Sequence, residues 1–226
     1  MLKYVKLFSV ILITILFLGC NDSDKTSNSN NSNQLTSSTV INLDNYPLSD
    51  LNDTQKYALA YMWNEEKLAY DIYLELNTLY PSQTFVNIAI KSESTHIELV
   101  ENLIQRYDIN ITNLQDSLDS GVYGVSEIQD LYNTLYSIGD DSLIDALKVA
   151  CMVEVTDVDD LDKYITDAAD AQDLVDTFTV LRAGSYNHYW AFDNALKREG
   201  ITDGCCSLGT IDETSFCKTT DEYPRN

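Results

Sequence analysis

Positive charge is scarce in this 226-residue sequence: 14 lysines and arginines stand against 36 aspartates and glutamates, a formal net charge of -22. Binding nucleic acid through its phosphates needs Lys and Arg to displace the backbone's counterions, so no nucleic-acid partner is expected. Histidine is rarer still, with only His96 and His188. No Cys-x-x-Cys pair occurs, which excludes a rubredoxin-like iron site; an electron donor, where one is needed, would be another protein. No repeat of fixed short period is present. The longest apolar run, Leu7 to Leu18, is short of the roughly 20 residues that span a bilayer as a helix.

That run follows Lys3 and Lys6 and precedes Gly19-Cys20, the pattern of a secretory signal peptide over residues 1–20 ending in a lipobox-like site. Cys20 would become the lipidated first residue of a bacterial lipoprotein, exported and held to the membrane of the cell envelope by that anchor. Phe17 stands where the motif usually has Leu, so an ordinary signal peptide or an uncleaved anchor remains the alternative. Residues 21–45 are rich in Asn and Ser and almost devoid of large apolar side chains. Burial there cannot offset the entropy of ordering, and a disordered tether is expected. Residues 46–200 suit one domain with a sizeable core, and 201–226 form a tail holding Cys205, Cys206 and Cys217. In an oxidising envelope one of the first two would pair with Cys217 and leave an odd thiol. Cys151 falls inside a helical pattern and reads as a small buried thiol.

Helical periodicity dominates the remainder. The spacing predicts a helix from Thr54 to Leu79, ended by Pro81, and a second from about Gln83 to Tyr107. A third is expected over about Ser142 to Tyr164 and a fourth over about Ala171 to Lys197, stopped by Gly200. A few residues join helices one and two, or three and four, whereas about 35 separate helices two and three and include the short helical stretch VSEIQDLYNTLYSI. Short links make antiparallel neighbours and a long one makes a crossover. The expected fold class is all-α, a ferritin-like four-helix bundle with one long crossover between helices two and three.

Polar residues interrupt each apolar stripe near mid-helix. Glu66 falls in the row Leu59, Met62, Ala69, Tyr73; Glu93 and His96 in the row Phe85, Ala89, Val100, Leu103. Glu154 and Asp157 interrupt Leu147, Ala150, Leu161, and Ser185 and His188 continue Leu174, Phe178, Leu181. Each has a plain reading: a lone Glu-x-x-His arises by chance, Glu66 beside Glu65 could face solvent, His188 could be a core histidine, and Asp157 lies in the acidic run TDVDDLD. Their coincidence on the inward rows points further. Ionised carboxylates are not buried cheaply, and a pair of divalent cations would hold several of them charged. One Glu per helix with Glu-x-x-His is the ligand set of di-metal carboxylate bundles. An oxygen-rich set with imidazole favours iron or manganese.

The segments NEEKLAYDIY, FVNIAIKSESTHIELVENLIQRY, QDLYNTLYSIGDDSLIDALKVACMVEVTDVDDL and LRAGSYNHYWAFDNAL, in that order, resemble the ferritin-like bacterial and archaeal family catalogued as domain of unknown function 2202 (DUF2202), over about residues 50 to 198. More distantly, Glu66, Ala69 and Tyr73 repeat a spacing of the rubrerythrin and ferritin superfamily. The resemblance implies Glu66 and His96 as terminal ligands, Glu93 as a bridge, and Glu154 with His188 in the corresponding roles of the second half. Ser185 departs from it, standing where a second bridging Glu would be, and Asp157 is the candidate replacement.

The expectation is therefore an envelope-anchored protein with two iron or manganese ions, in oxygen or peroxide chemistry of the di-iron oxidoreductase or peroxidase kind, or in iron handling. Tyr70, Tyr73 and Tyr189 lie close enough in sequence to the site to be considered as donors, with packing as their ordinary role. The alternative from another class is a non-enzymatic interaction module with a metal-free polar core. No face is oily enough to identify a homodimer interface, which leaves that partner open.

Overall fold

The computed structural model describes residues 41–111 and 119–225. The signal segment, Cys20 and all of the tether before residue 41 lie outside the described residues. No helix among the described residues is long and apolar enough to cross a membrane.

The fold is all-α: α1 Asp53–Leu79, α2 Gln83–Ile88, a π turn Ala89–Glu93, α3 Ser94–Arg106, α4 Ser126–Gly139, α5 Leu143–Asp167 and α6 Gln172–Arg198. Extended structure among the described residues is limited to the two-residue strands Thr210–Ile211 and Thr214–Ser215, an antiparallel pair in the tail. Local sequence sets the helix ends. Asn52 and Gln55 form a reciprocal capping box at the start of α1, each side chain accepting from the other's backbone N–H at 3.0 Å. Ser142 caps α5 by accepting from Asp145 N–H. Pro81 follows α1, where it cannot continue the helix.

The expected second helix is thus three pieces. One turn of it, Ala89–Glu93, opens to π geometry, which fits an extra residue into the turn and re-aims the side chains beyond it. The π turn and α3 pack against α1; α5 packs against α1 and α6; α6 also meets α2 and α3. α4, within the crossover, lies on α1 and α5. The crossover is tied to α1 by a buried pair: Asp71 accepts from Lys67 Nζ at 2.5 Å, Tyr123 OH at 3.0 Å and Gly121 N at 3.2 Å, and Lys67 also donates to Asp119 O.

Buried apolar side chains sort into two clusters. Met62 and Trp63 of α1, Val100 of α3 and Leu181 of α6 belong to one; Leu68, Ala69, Ala89 and Tyr189 belong to the other. The residues between them along these helices are the polar ones, so a polar layer divides the core. Beside it Tyr73, Phe85 and Phe192, from α1, α2 and α6, meet with ring centroids 5.0 to 6.0 Å apart. Full burial of each such ring contributes about 1.5–3 kcal/mol, enough to hold the helices that frame the layer in place.

The tail is stapled to the helices. Cys151 is bonded to Cys205, and Cys206 to Cys217. The Cys206–Cys217 pair meets the expectation for the tail; the odd thiol and the free buried Cys151 do not, because the tail folds back onto α5 and α6 and brings Cys205 to Cys151. Tyr189 OH donates to Phe216 O, Trp190 Nε1 donates to Tyr223 O, and Asp193 Oδ1 accepts from Cys205 N–H. Gly204, at φ +55°, is required there, since a Cβ would lie 2.0 Å from Asp193 Oδ1.

Candidate metal centre

Five elements converge on the polar layer. Glu66 comes from α1, Glu93 from the last position of the π turn, His96 from the first turn of α3, Glu154 from α5 and His188 from α6. All five residues are at most 6 % exposed. Two groups form in which every ligand atom lies within 4.8 Å of the others: Glu66, Glu93, His96 and Glu93, Glu154, His188. Glu93 belongs to both. Its Oε2 is 3.0 Å from His96 Nδ1 and its Oε1 is 2.9 Å from His188 Nδ1, so one carboxylate joins the halves. Glu66 Oε2 lies 3.1 Å from His96 Nδ1, and Glu154 Oε2 lies 3.3 Å from His188 Nδ1. The imidazoles stack with centroids 5.4 Å apart.

The donor set fits two divalent cations. It is made of oxygen and imidazole nitrogen, and two of its atoms, Glu66 Oε1 and His188 Nδ1, lack hydrogen-bond partners among the described residues, as does Asp157 Oδ1 next to it. His188 Nδ1 lies 2.9 Å from Glu93 Oε1 and 3.3 Å from Glu154 Oε2 yet is aligned with neither for a hydrogen bond. Its other nitrogen, Nε2, is 2.7 Å from Ser92 Oγ, which orients the ring. Tyr73 OH donates to Glu154 Oε1 at 2.5 Å.

Without cations the groups perturb one another strongly. Burial pushes the Glu66 carboxyl up to about 7, although His96 opposes it. Burial also acts to raise Glu93, but the two histidines outweigh it and hold that carboxylate well below its usual range. Burial alone would lower His188; Glu93 and Glu154 instead carry it up to about 10. His96 is raised in the same way by Glu66 and Glu93. Protons on the imidazoles thus do the work that cations would do.

Asp157 stands outside both ligand groups. One turn of α5 beyond Glu154, it accepts from Ser185 Oγ at 2.5 Å, the residue that occupies the expected position of a second bridging Glu. Of the three tyrosines considered, Tyr73 reaches the site, Tyr189 is tied to the tail, and Tyr70 lies at the half-buried edge of the core. Ser92, Gly184 and Glu65 were not singled out by the sequence as contributors. A Cβ at Gly184 would lie 2.5 Å from His96 Nε2, so α6 can approach His96 only where the side chain is absent. An isolated glycine inside a long helical pattern was the available signal; Ser92 offered none, because its role depends on the π turn. Glu65, beside Glu66, is as deeply buried as the five residues that converge on the layer.

Comparison with known proteins agrees with this arrangement of helices. The sequence profile described as "Uncharacterized protein domain (DUF2202)" matches residues 55–212. The uncharacterized protein MJ0754 of Methanocaldococcus jannaschii is 38 % identical over 154 residues, covering 68 % of this chain and 81 % of that protein. The crystal structure of hypothetical protein MJ0754 from Methanococcus jannaschii superposes with a TM-score of 0.67 at 33 % identity, covering 78 % of this chain and 93 % of that one. By the length of its match and by that relative, the chain belongs to the DUF2202 family.

Proposed function

We propose that this protein is an exported, lipid-anchored member of the ferritin-like bundles whose polar layer holds two iron or manganese ions, in oxygen or peroxide redox chemistry or in iron handling. The observation that carries the reading is the pair of Glu/His groups meeting at Glu93, four carboxylate or imidazole donors from four helices on either side of one bridging residue. The bundle topology is supported by the order of long helices, the short links at Tyr80–Ser82 and Ala168–Ala171, and the long crossover. Export is supported by two disulfides in the folded domain, bonds that persist in oxidising compartments.

Two such metals, when bound, would supply electrons to an oxidant and Lewis acidity to its oxygen atoms. The chain's own part is to bind and to orient. Glu93 would bridge, Glu66 and His96 would complete one side, and Glu154 and His188 the other. Ser92 holds the plane of His188, and Tyr73 holds one oxygen of Glu154 so that the other faces the site. Burial of all five ligands keeps bulk water away and strengthens each charge interaction.

The test is metal content of the full chain, purified in mild detergent without chelator, beside the Glu93→Ala and His188→Ala variants. About two iron or manganese per chain, lost in Glu93→Ala, is the expected result and makes peroxide turnover the next assay. No bound metal after anaerobic reconstitution with ferrous iron would leave a non-enzymatic bundle with a structural polar network.

A further inference from the structure

A second set of carboxylates leads away from the centre. On α5, Glu154, Asp157 and Asp160 succeed one another at intervals of three residues, which places them along one helix face. On α1, Tyr61 donates to Asp160 at 3.1 Å, and Glu65, one turn further along that helix, is buried; burial first, and then Asp157, Asp160 and Glu66, push its carboxyl up. Glu65 is 2 % exposed and Asp157 4 % exposed, whereas Asp160 is partly open to solvent. The series therefore runs from the surface at Asp160, through Glu65 and Asp157, to Glu66 and Glu154 of the metal centre.

What distinguishes it from a solvated acidic face is that its inner members lack donors. Among the described residues no N–H or hydroxyl donates to either carboxylate oxygen of Glu65, whose polar neighbour is another carboxyl, Asp160, and Asp157 Oδ1 has no partner. Ser185 satisfies only the other oxygen of Asp157, and Lys163, which acts on Asp160, has its ammonium over the Tyr164 ring. A buried carboxylate with no donor is costly unless something positive visits it. The three acidic groups do not close into one compact cage, which is the arrangement expected of successive stepping positions.

We propose that Asp160, Glu65 and Asp157 form the path along which divalent cations pass from solvent to the Glu93-centred site. The proposal rests on the di-metal reading. The acidic surface, with a net charge of -22, raises the local concentration of cations at the mouth of the path. Each carboxylate then replaces part of the hydration shell as the ion moves inward, and Asp157, held by Ser185 through one oxygen, keeps the other free for the last transfer.

The experiment tracks loading of the metal-free full chain with Co²⁺, by stopped-flow absorbance for rate and by equilibrium titration for stoichiometry, in the native protein and in Glu65→Gln and Asp160→Asn. The expected result is about two Co²⁺ per chain in all three, with loading slowed at least tenfold in Glu65→Gln and severalfold in Asp160→Asn. Asp160 is partly exposed, so its variant keeps the test open where loss of Glu65 perturbs folding. Unchanged rates in both variants would overturn the path and leave the metal centre standing, with Glu65 merely carrying a proton. A lower stoichiometry in Glu65→Gln would also overturn it, by making Glu65 a ligand. Absence of Co²⁺ binding in the native chain would sink the metal centre itself.

Discussion

His96 and His188 are the chain's whole supply of imidazole, and the fold commits both to one layer, each with Nδ1 turned toward Glu93. The residue that permits this is Gly184. Ala in its place would gain roughly 1 kcal/mol of helix propensity but would set a methyl 2.5 Å from His96 Nε2. Gly184→Ala is therefore expected to fold, to displace His96, and to retain one cation per chain where two are expected of the native protein; metal analysis of the purified variant checks it. Two cations in the variant would mean that His96 has room to turn aside without leaving the site.

At the scale of elements, the π turn and the tail do opposite things. The π turn Ala89–Glu93 gives up a regular helical turn to bring Ser92 and Glu93 against His188. Deleting Ile90, which is 53 % exposed, removes the extra residue at little cost in packing. The expected outcome is unchanged helical circular dichroism with loss of bound metal, because the helix closes to α geometry and Ser92 and Glu93 are re-aimed. The Cys151–Cys205 bond contributes stability instead. It closes a segment of 54 residues, for which loop-closure entropy corresponds to about 4 kcal/mol as an upper figure. Cys151→Ser is expected to lower the free energy of unfolding in denaturant by about 2–4 kcal/mol while leaving metal stoichiometry near the native value.

For the molecule as a whole, the stability of the metal-free form should fall as pH rises. Glu66 in the fold holds its proton up to about 7 rather than its ordinary 4.5, chiefly because it is buried. His188 holds its proton up to about 10 rather than 6.5, since its two carboxylate neighbours overcome burial. In both, the folded state binds the proton more tightly than the unfolded chain. Their contribution is therefore lost between about pH 4.5 and 7 for Glu66, and as pH rises from 6.5 through about 10 for His188. Glu93, held low, gives the opposite sign only as pH falls through the acidic range. Denaturant midpoints of chelated protein at pH 5.5 and 9 are expected to show the decline. Bound cations should abolish it, with proton release on loading detectable by calorimetry in buffers of different ionisation enthalpy.

Much of this was legible in the chain itself. Apolar spacing of three and four residues, with Asn52, Pro81 and Ser142 at the boundaries, determined the long helices to within a few residues, because amphipathic periodicity and capping are local properties. The same spacing placed Glu66, Glu93, His96, Glu154 and His188 on inward rows, and the fold brings those five together. Three things only the tertiary structure decided. The π turn sets Ser92 and Glu93 against His188 of α6, and Ser92 and His188 are 96 positions apart in the sequence. The pairing of Cys151 with Cys205 depends on a tail folding back across a sequence separation of 54 residues. The setting of Asp157, hydrogen-bonded to Ser185, and of Glu65, buried beside Glu66, depends on which side chains of neighbouring helices face them. Helix period is written in the order of residues, whereas the distance between two helices is set by the volumes packed between them.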